Sequence, residues 1–117
     1  RTVRVVNETR GATLADRADV AANPWSRLRG LLGRRRLPAG AGLLIVPCNS
    51  VHCFFMAFPI DVAYLDRDDR ILRLAPDLLP NRVGPIVPAA RAVLELPAGT
   101  LAAVGTQVGD RLRVEDV

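Results

Sequence analysis

Polar and apolar side chains alternate through Thr2-Val-Arg-Val-Val6 and stop at Asn7-Glu-Thr-Arg-Gly11, which predicts a strand followed by a turn. Thr13–Ala15 and Ala18–Ala22 carry weaker strand or loop signals. Asn23 and Pro24 then mark a helix start, since Asn caps well and Pro loses nothing at the first helical position. Trp25, Leu28 and Leu32 share one helical face, so residues 24–32 are expected to form a short amphipathic helix ending at Gly33. Gly30 inside it costs about 1 kcal/mol relative to Ala.

Beyond Gly40 and Gly42 the period changes. Leu43–Val46 reads as a core strand and Pro47-Cys-Asn-Ser50 as a turn. Val51–Met56 reads as a strand, with Val51, Cys53 and Phe55 on one face and His52, Phe54 and Met56 on the other. Ile60–Leu65 and Arg70–Leu74 form a hairpin around the acidic tip Asp66-Arg-Asp-Asp69. Pro76, Pro80, Pro85 and Pro88 make residues 75–91 a long ordered loop. Ala92–Leu96 is a strand, Thr100–Val104 one helical turn closed by Gly105, and Arg111–Val114 a last strand. The sum is a mainly β fold: one compact antiparallel barrel or sandwich of about six to eight strands with one short α-helix. Its expected core holds Trp25, Leu28, Leu32, Leu44, Val51, Phe55, Ile60, Val62, Leu72, Leu94 and Leu96.

A length of 117 residues suits a single domain over 1–117, and a half-hydrophobic, 24% charged composition excludes disorder. No apolar run is long enough to span a membrane. The chain begins at Arg1 with no signal-peptide layout, which leaves a removed leader open. The net charge of +4 comes entirely from Arg and is uneven: +6 over residues 1–60 and −2 over 61–117. Cys48 and Cys53 lie too close for a disulfide framework, so two reduced thiols in a cytoplasmic protein are expected.

Five segments in order give the chain a family resemblance: Trp25-Ser-Arg-Leu-Arg-Gly-Leu-Leu-Gly-Arg34, Val51-His-Cys-Phe-Phe-Met56, Phe58-Pro-Ile-Asp-Val-Ala-Tyr-Leu-Asp66, Val93-Leu-Glu-Leu-Pro-Ala-Gly99 and Val108-Gly-Asp110. It resembles the bacterial and archaeal family called Domain of Unknown Function 192, from about residue 13 to the end. The resemblance implies a compact β-rich barrel or sandwich with one short helix, and no activity. Three positions depart from the usual pattern: Ala57 replaces a basic residue, Asp69 a glycine and Cys53 a small hydroxyl residue. If the family binds an anion near Met56, this chain lacks one contact.

No nucleophile, base and orienting group fall at a recognisable spacing, so no catalytic residue is assigned. Cys48, His52 and Cys53 match no common zinc pattern, and neither metal nor cofactor is expected. The favoured reading is a non-enzymatic ligand-binding or accessory domain for a small molecule or peptide, with a pocket roofed by the Pro-rich loop. His52, Phe54, Met56, Asp61 and Arg29 are the candidate ligand-binding residues. One alternative is a small hydrolase or lyase using Asp61, His52 or Glu95. Another is a weak anionic-polymer binder through Arg34–Arg36, although only Trp25 lies near for base stacking, so nucleic acid is disfavoured. The sequence does not address the oligomeric state. The protein is expected to purify without stoichiometric zinc; one zinc per chain by elemental analysis, lost on Cys48→Ser, would overturn this.

Overall fold

The computed structural model describes residues 1–23, 37–49, 58–80 and 82–117. They build seven strands: β1 (Thr2–Asn7), β2 (Ala12–Ala21), β3 (Ala41–Ile45), β4 (Ile60–Leu65), β5 (Ile71–Leu78), β6 (Ala92–Pro97) and β7 (Leu112–Asp116). One short helix, α1 (Thr100–Val104), lies between β6 and β7. The strands form one mixed sheet in the order β5-β4-β6-β3-β2-β1-β7. It curls into a half-barrel, as the β-rich reading requires.

All named pairs are antiparallel except β2 with β3, which run parallel from Arg17 opposite Ala41 to Ala21 opposite Ile45. Parallel neighbours need a long crossover, here the chain between Ala21 and Ala41. The two edge strands meet where Arg70 bridges Arg111. The Ile71 N–H donates to the Asp110 carbonyl (2.9 Å), and the Gly109 N–H to the Ile71 carbonyl (2.8 Å).

Strand alternation sorts the core into two clusters. Leu44, Ala63, Leu65, Leu94 and Leu96 join Val3, Val5, Leu14, Leu112 and Leu101 of α1 on the first face. Leu43, Ile45, Ile60, Val62, Tyr64 and Val93 occupy the second, with Ala21, Leu37, Cys48 and Phe58 against them. Gly42 permits the close approach of β3 and β6, since a Cβ there would lie 3.1 Å from both the Glu95 carbonyl and Leu96 Cδ2.

Of the expected core, Leu44, Ile60, Val62, Leu94 and Leu96 are buried. Leu72 is only half-buried, because it is skipped where the β4–β5 register shifts: Tyr64 stands opposite Arg73 and Leu65 opposite Ile71. Trp25, Leu28, Leu32, Val51 and Phe55 lie outside the described residues, as do the helix expected over 24–32 and the strand expected over 51–56. Several boundaries differ; β3, for one, runs over Ala41–Ile45 rather than Leu43–Val46. The two weak signals after Gly11 are one ten-residue strand, β2. β5 runs on through Pro76, which an edge strand tolerates because one side needs no ladder donor. The last strand starts one residue later and ends two later than its pattern.

A buried polar network joins the β1–β2 turn to the loop before β7. Asn7 Nδ2 donates to Asp110 Oδ2 (3.0 Å) and Thr106 Oγ1 (3.2 Å). Arg10 Nε and Nη2 donate to the two Asp110 oxygens, and the Gln107 N–H to Oδ2 (2.9 Å). The Arg10 hydrogen bond leads in lowering the Asp110 carboxyl to about 2, with burial opposing and Asn7 and Gln107 assisting. A folded-state value below the unfolded one, about 3.9, stabilises the fold above that value. Stability is therefore expected to fall as pH drops from about 4 towards 2. In Asp110→Asn that part of the acid limb should flatten in urea titrations at successive pH values, with about 1–3 kcal/mol lost at neutral pH.

Candidate functional site

Asp61 is the one candidate ligand-binding residue among the described residues. It is the second residue of β4, after Phe58-Pro59-Ile60, is 1% exposed, and points to the first face, opposite Leu96 in β6. Its oxygens are both committed. Oδ1 accepts the Asp77 N–H (2.8 Å) and Oδ2 the Leu101 N–H (3.0 Å). The first bond holds Asp77 where β5 adopts a φ of 53°, in the left-handed region. The second serves the start of α1, whose cap residue Gly99 offers no side-chain acceptor. Asp61 thus ties β4, β5 and α1 together.

Glu95 stands on the other face. Leu94 and Leu96 enter the first cluster and Val93 the second, so alternation directs Glu95 with Val93. It is 4% exposed, level with Val62 of β4 and Leu43 of β3. Asp61 and Glu95 therefore cannot flank one substrate as an acid–base pair. Tyr64, fully buried on the Glu95 face, adds a hydroxyl to that surface. The sequence signal for it was available: period two from Ile60 puts Tyr64 with Val62.

The described ends of the segment carrying His52, Phe54 and Met56 belong to the second face, because Cys48 and Phe58 both pack there. His52, Phe54, Met56 and Cys53 themselves lie outside the described residues, as do Arg29 and the basic run Arg34–Arg36. At the C-terminal end of β3 the turn Pro47-Cys48-Asn49 is stitched to the end of the Pro-rich loop. The Cys48 N–H donates to the Arg91 carbonyl (2.8 Å), and the Val87 N–H to the Asn49 carbonyl (2.9 Å). The Arg91 N–H donates in turn to the Leu65 carbonyl (2.7 Å). A pocket of about 230 Å³ opens there, lined by Pro47, Cys48, Asn49 and Ala90. Among the described residues, no three His, Cys, Asp or Glu side chains group to hold a metal. No helix among them is long and apolar enough to cross a membrane.

Residues 5–114 match the sequence profile of DUF192, described as Uncharacterized ACR. A UPF0127 protein of Pyrococcus abyssi is 28% identical over 92% of this chain and 94% of its own. A second, from Pyrococcus furiosus, is 30% identical over 92% of this chain and 95% of its own. Among solved structures, a Novosphingobium aromaticivorans protein of unknown function superposes with a TM-score of 0.82 at 22% identity, covering 96% of this chain and 83% of that one. A Sinorhizobium meliloti protein, provisionally described as a transcription regulator, gives 0.80 at 26% identity, with 97% and 92% covered.

The Asp61 geometry has a measurable consequence. Asp61→Ala strands two backbone donors and should cost about 1–3 kcal/mol for each in urea unfolding. Asp61→Asn keeps one acceptor oxygen and should fall between Ala and wild type. An unchanged denaturation midpoint in both variants would contradict the tie between β4, β5 and α1.

Proposed function

The chain belongs to the DUF192 family, and from that premise we propose that it is a non-enzymatic ligand-binding or accessory domain. The observation that carries the reading is the pocket between the Pro47–Asn49 turn and the end of the Pro-rich loop. The turn leads straight into Ser50–Ala57, the segment that supplies His52, Phe54 and Met56. These three, with Arg29, are the proposed ligand contacts. An imidazole, an aromatic ring, a thioether and a guanidinium suit a small molecule or peptide end that combines an apolar body with an anionic or hydrogen-bonding group. Asp61 enters as a positioning residue, fixing the start of β4 from the opposite face. The hydrolase or lyase reading loses its paired carboxylates, since Asp61 and Glu95 diverge across the sheet.

Thermal-shift titration against amino acids, dipeptides, monosaccharides, inorganic phosphate and sulfate tests the proposal. A ligand at a hundredfold excess over Kd stabilises by about 2.7 kcal/mol, a rise of several degrees in Tm. At least one probe should raise the Tm of wild type and lose that effect in both His52→Ala and Met56→Ala. In Asp61→Asn the starting Tm should drop while the ligand-induced rise persists. A panel without a hit, or a hit indifferent to both substitutions, would reject the pocket; conversion of the bound probe would restore the enzyme reading.

A further inference from the structure

β3 is shorter than the strand beside it. β2 extends over Ala12–Ala21, but its parallel ladder with β3 covers only Arg17–Ala21 and starts at Ala41. On its other flank β3 pairs with β6, and that register carried back sets Ala41 level with Pro97. Before Ala41 the chain leaves the sheet: the Ala41 N–H donates to the Pro38 carbonyl, and Gly40 takes a φ of +83°. Among the described residues, no strand pairs with Ala12–Asp16 on the β3 side.

Along the line that β3 would have continued lies a groove of about 530 Å³. Thr13, Leu14 and Asp16 of β2 form one wall. The other wall is the chain from Pro97 into α1, with Ala98, Ala103 and Val104, and the Ala39-Gly40 turn closes one end. β2 flanks that line on one side; β6 ends at Pro97, so α1 and the chain leading into it stand on the other.

We propose that this groove receives an extended peptide segment of a partner protein, which takes up the line of β3 and pairs with Ala12–Asp16. Strand addition of this kind draws affinity from main-chain hydrogen bonds and selectivity from alternate side chains. Five residues of edge span roughly 17 Å, the length of an ordinary short strand. Among the described residues Asp16 is the only charged side chain lining the groove, and it is exposed. A Cβ on Gly40 would lie 2.8 Å from Asp16 Oδ2, so glycine there leaves room for the carboxylate at the closed end. The remaining surface is small and largely apolar. The fitting occupant therefore alternates Arg or Lys with apolar residues; the Asp16 carboxylate repels a phosphate backbone.

This groove and the Pro47–Asn49 pocket stand at opposite ends of β3, so the two tests are independent. The probe is a fluorescein-labelled, acetylated pentapeptide of sequence Val-Arg-Val-Arg-Val, read by fluorescence anisotropy and by amide shifts in proton–nitrogen spectra. Wild type should bind it saturably, with shifts centred on Ala12–Asp16. Asp16→Arg should raise Kd at least about tenfold, and so should replacing both probe arginines by glutamate. Ala103→Phe, which fills the groove from an exposed position of α1, should abolish binding while the Tm is kept. No saturation up to about 1 mM, undiminished binding by a folded Ala103→Phe, or shifts centred elsewhere would overturn the proposal.

Discussion

All six residues of β4 are buried, and that double burial sets the terms for the rest of the molecule. A strand with no solvent-facing side must have both faces of its sheet covered. On the first face the sheet supplies its own cover by curling, so that Val3, Val5 and Leu112 reach Leu65 and Leu94, with α1 as a plug. On the second, Ala21, Leu37, Cys48 and Phe58, which border the long connections, come down on Val62, Tyr64 and Val93. Burial also dictates what a polar residue in β4 can do. A carboxylate at 1% exposure must have its acceptors filled, and Asp61 fills them with two backbone donors from other elements.

Much of this was legible along the chain. Ile60–Leu65 was delimited by its own residues, and Thr100–Val104 by the glycines around it. Local pattern suffices where the forces are local: alternation, a left-handed glycine, a turn cluster. It fell short where distant partners decide. β2 looked broken because exposed Asp16, Arg17 and Asp19 interrupt its apolar positions; pairing with β1 and β3 makes it continuous. Pro76 looked like a terminator, yet β5 needs ladder donors on one side only. Asp61 read as a ligand group because its acceptors' partners, Asp77 and Leu101, lie far along the chain. Alternation along β6 puts Glu95 on the face opposite Leu94 and Leu96, but nothing local to Asp61 tells that it shares the Leu96 side.

The Val108-Gly-Asp110 motif acquires a physical meaning here. Gly109 has a φ of 92°, and Asp110 gathers Asn7, Arg10 and Gln107. The same residues carry the main-chain bonds by which β7 meets the start of β5. A motif with no evident chemistry is thus a clasp between sheet edges.

The outermost position of β7 has a consequence for synthesis. β7 is the second neighbour of β1, with Asp116 opposite Val3, so β1 completes its pairing with a strand far down the chain. On the ribosome β1 and β2 can form their hairpin early, yet the far flank of β1 stays uncovered until β7 has emerged. At roughly 5–20 residues per second that interval is on the order of ten seconds. The clasp at Asp110 is unavailable throughout, because its carboxylate leaves the tunnel just ahead of β7. Through that interval the nascent chain carries an open sheet edge at β1, a state that attracts general chaperones.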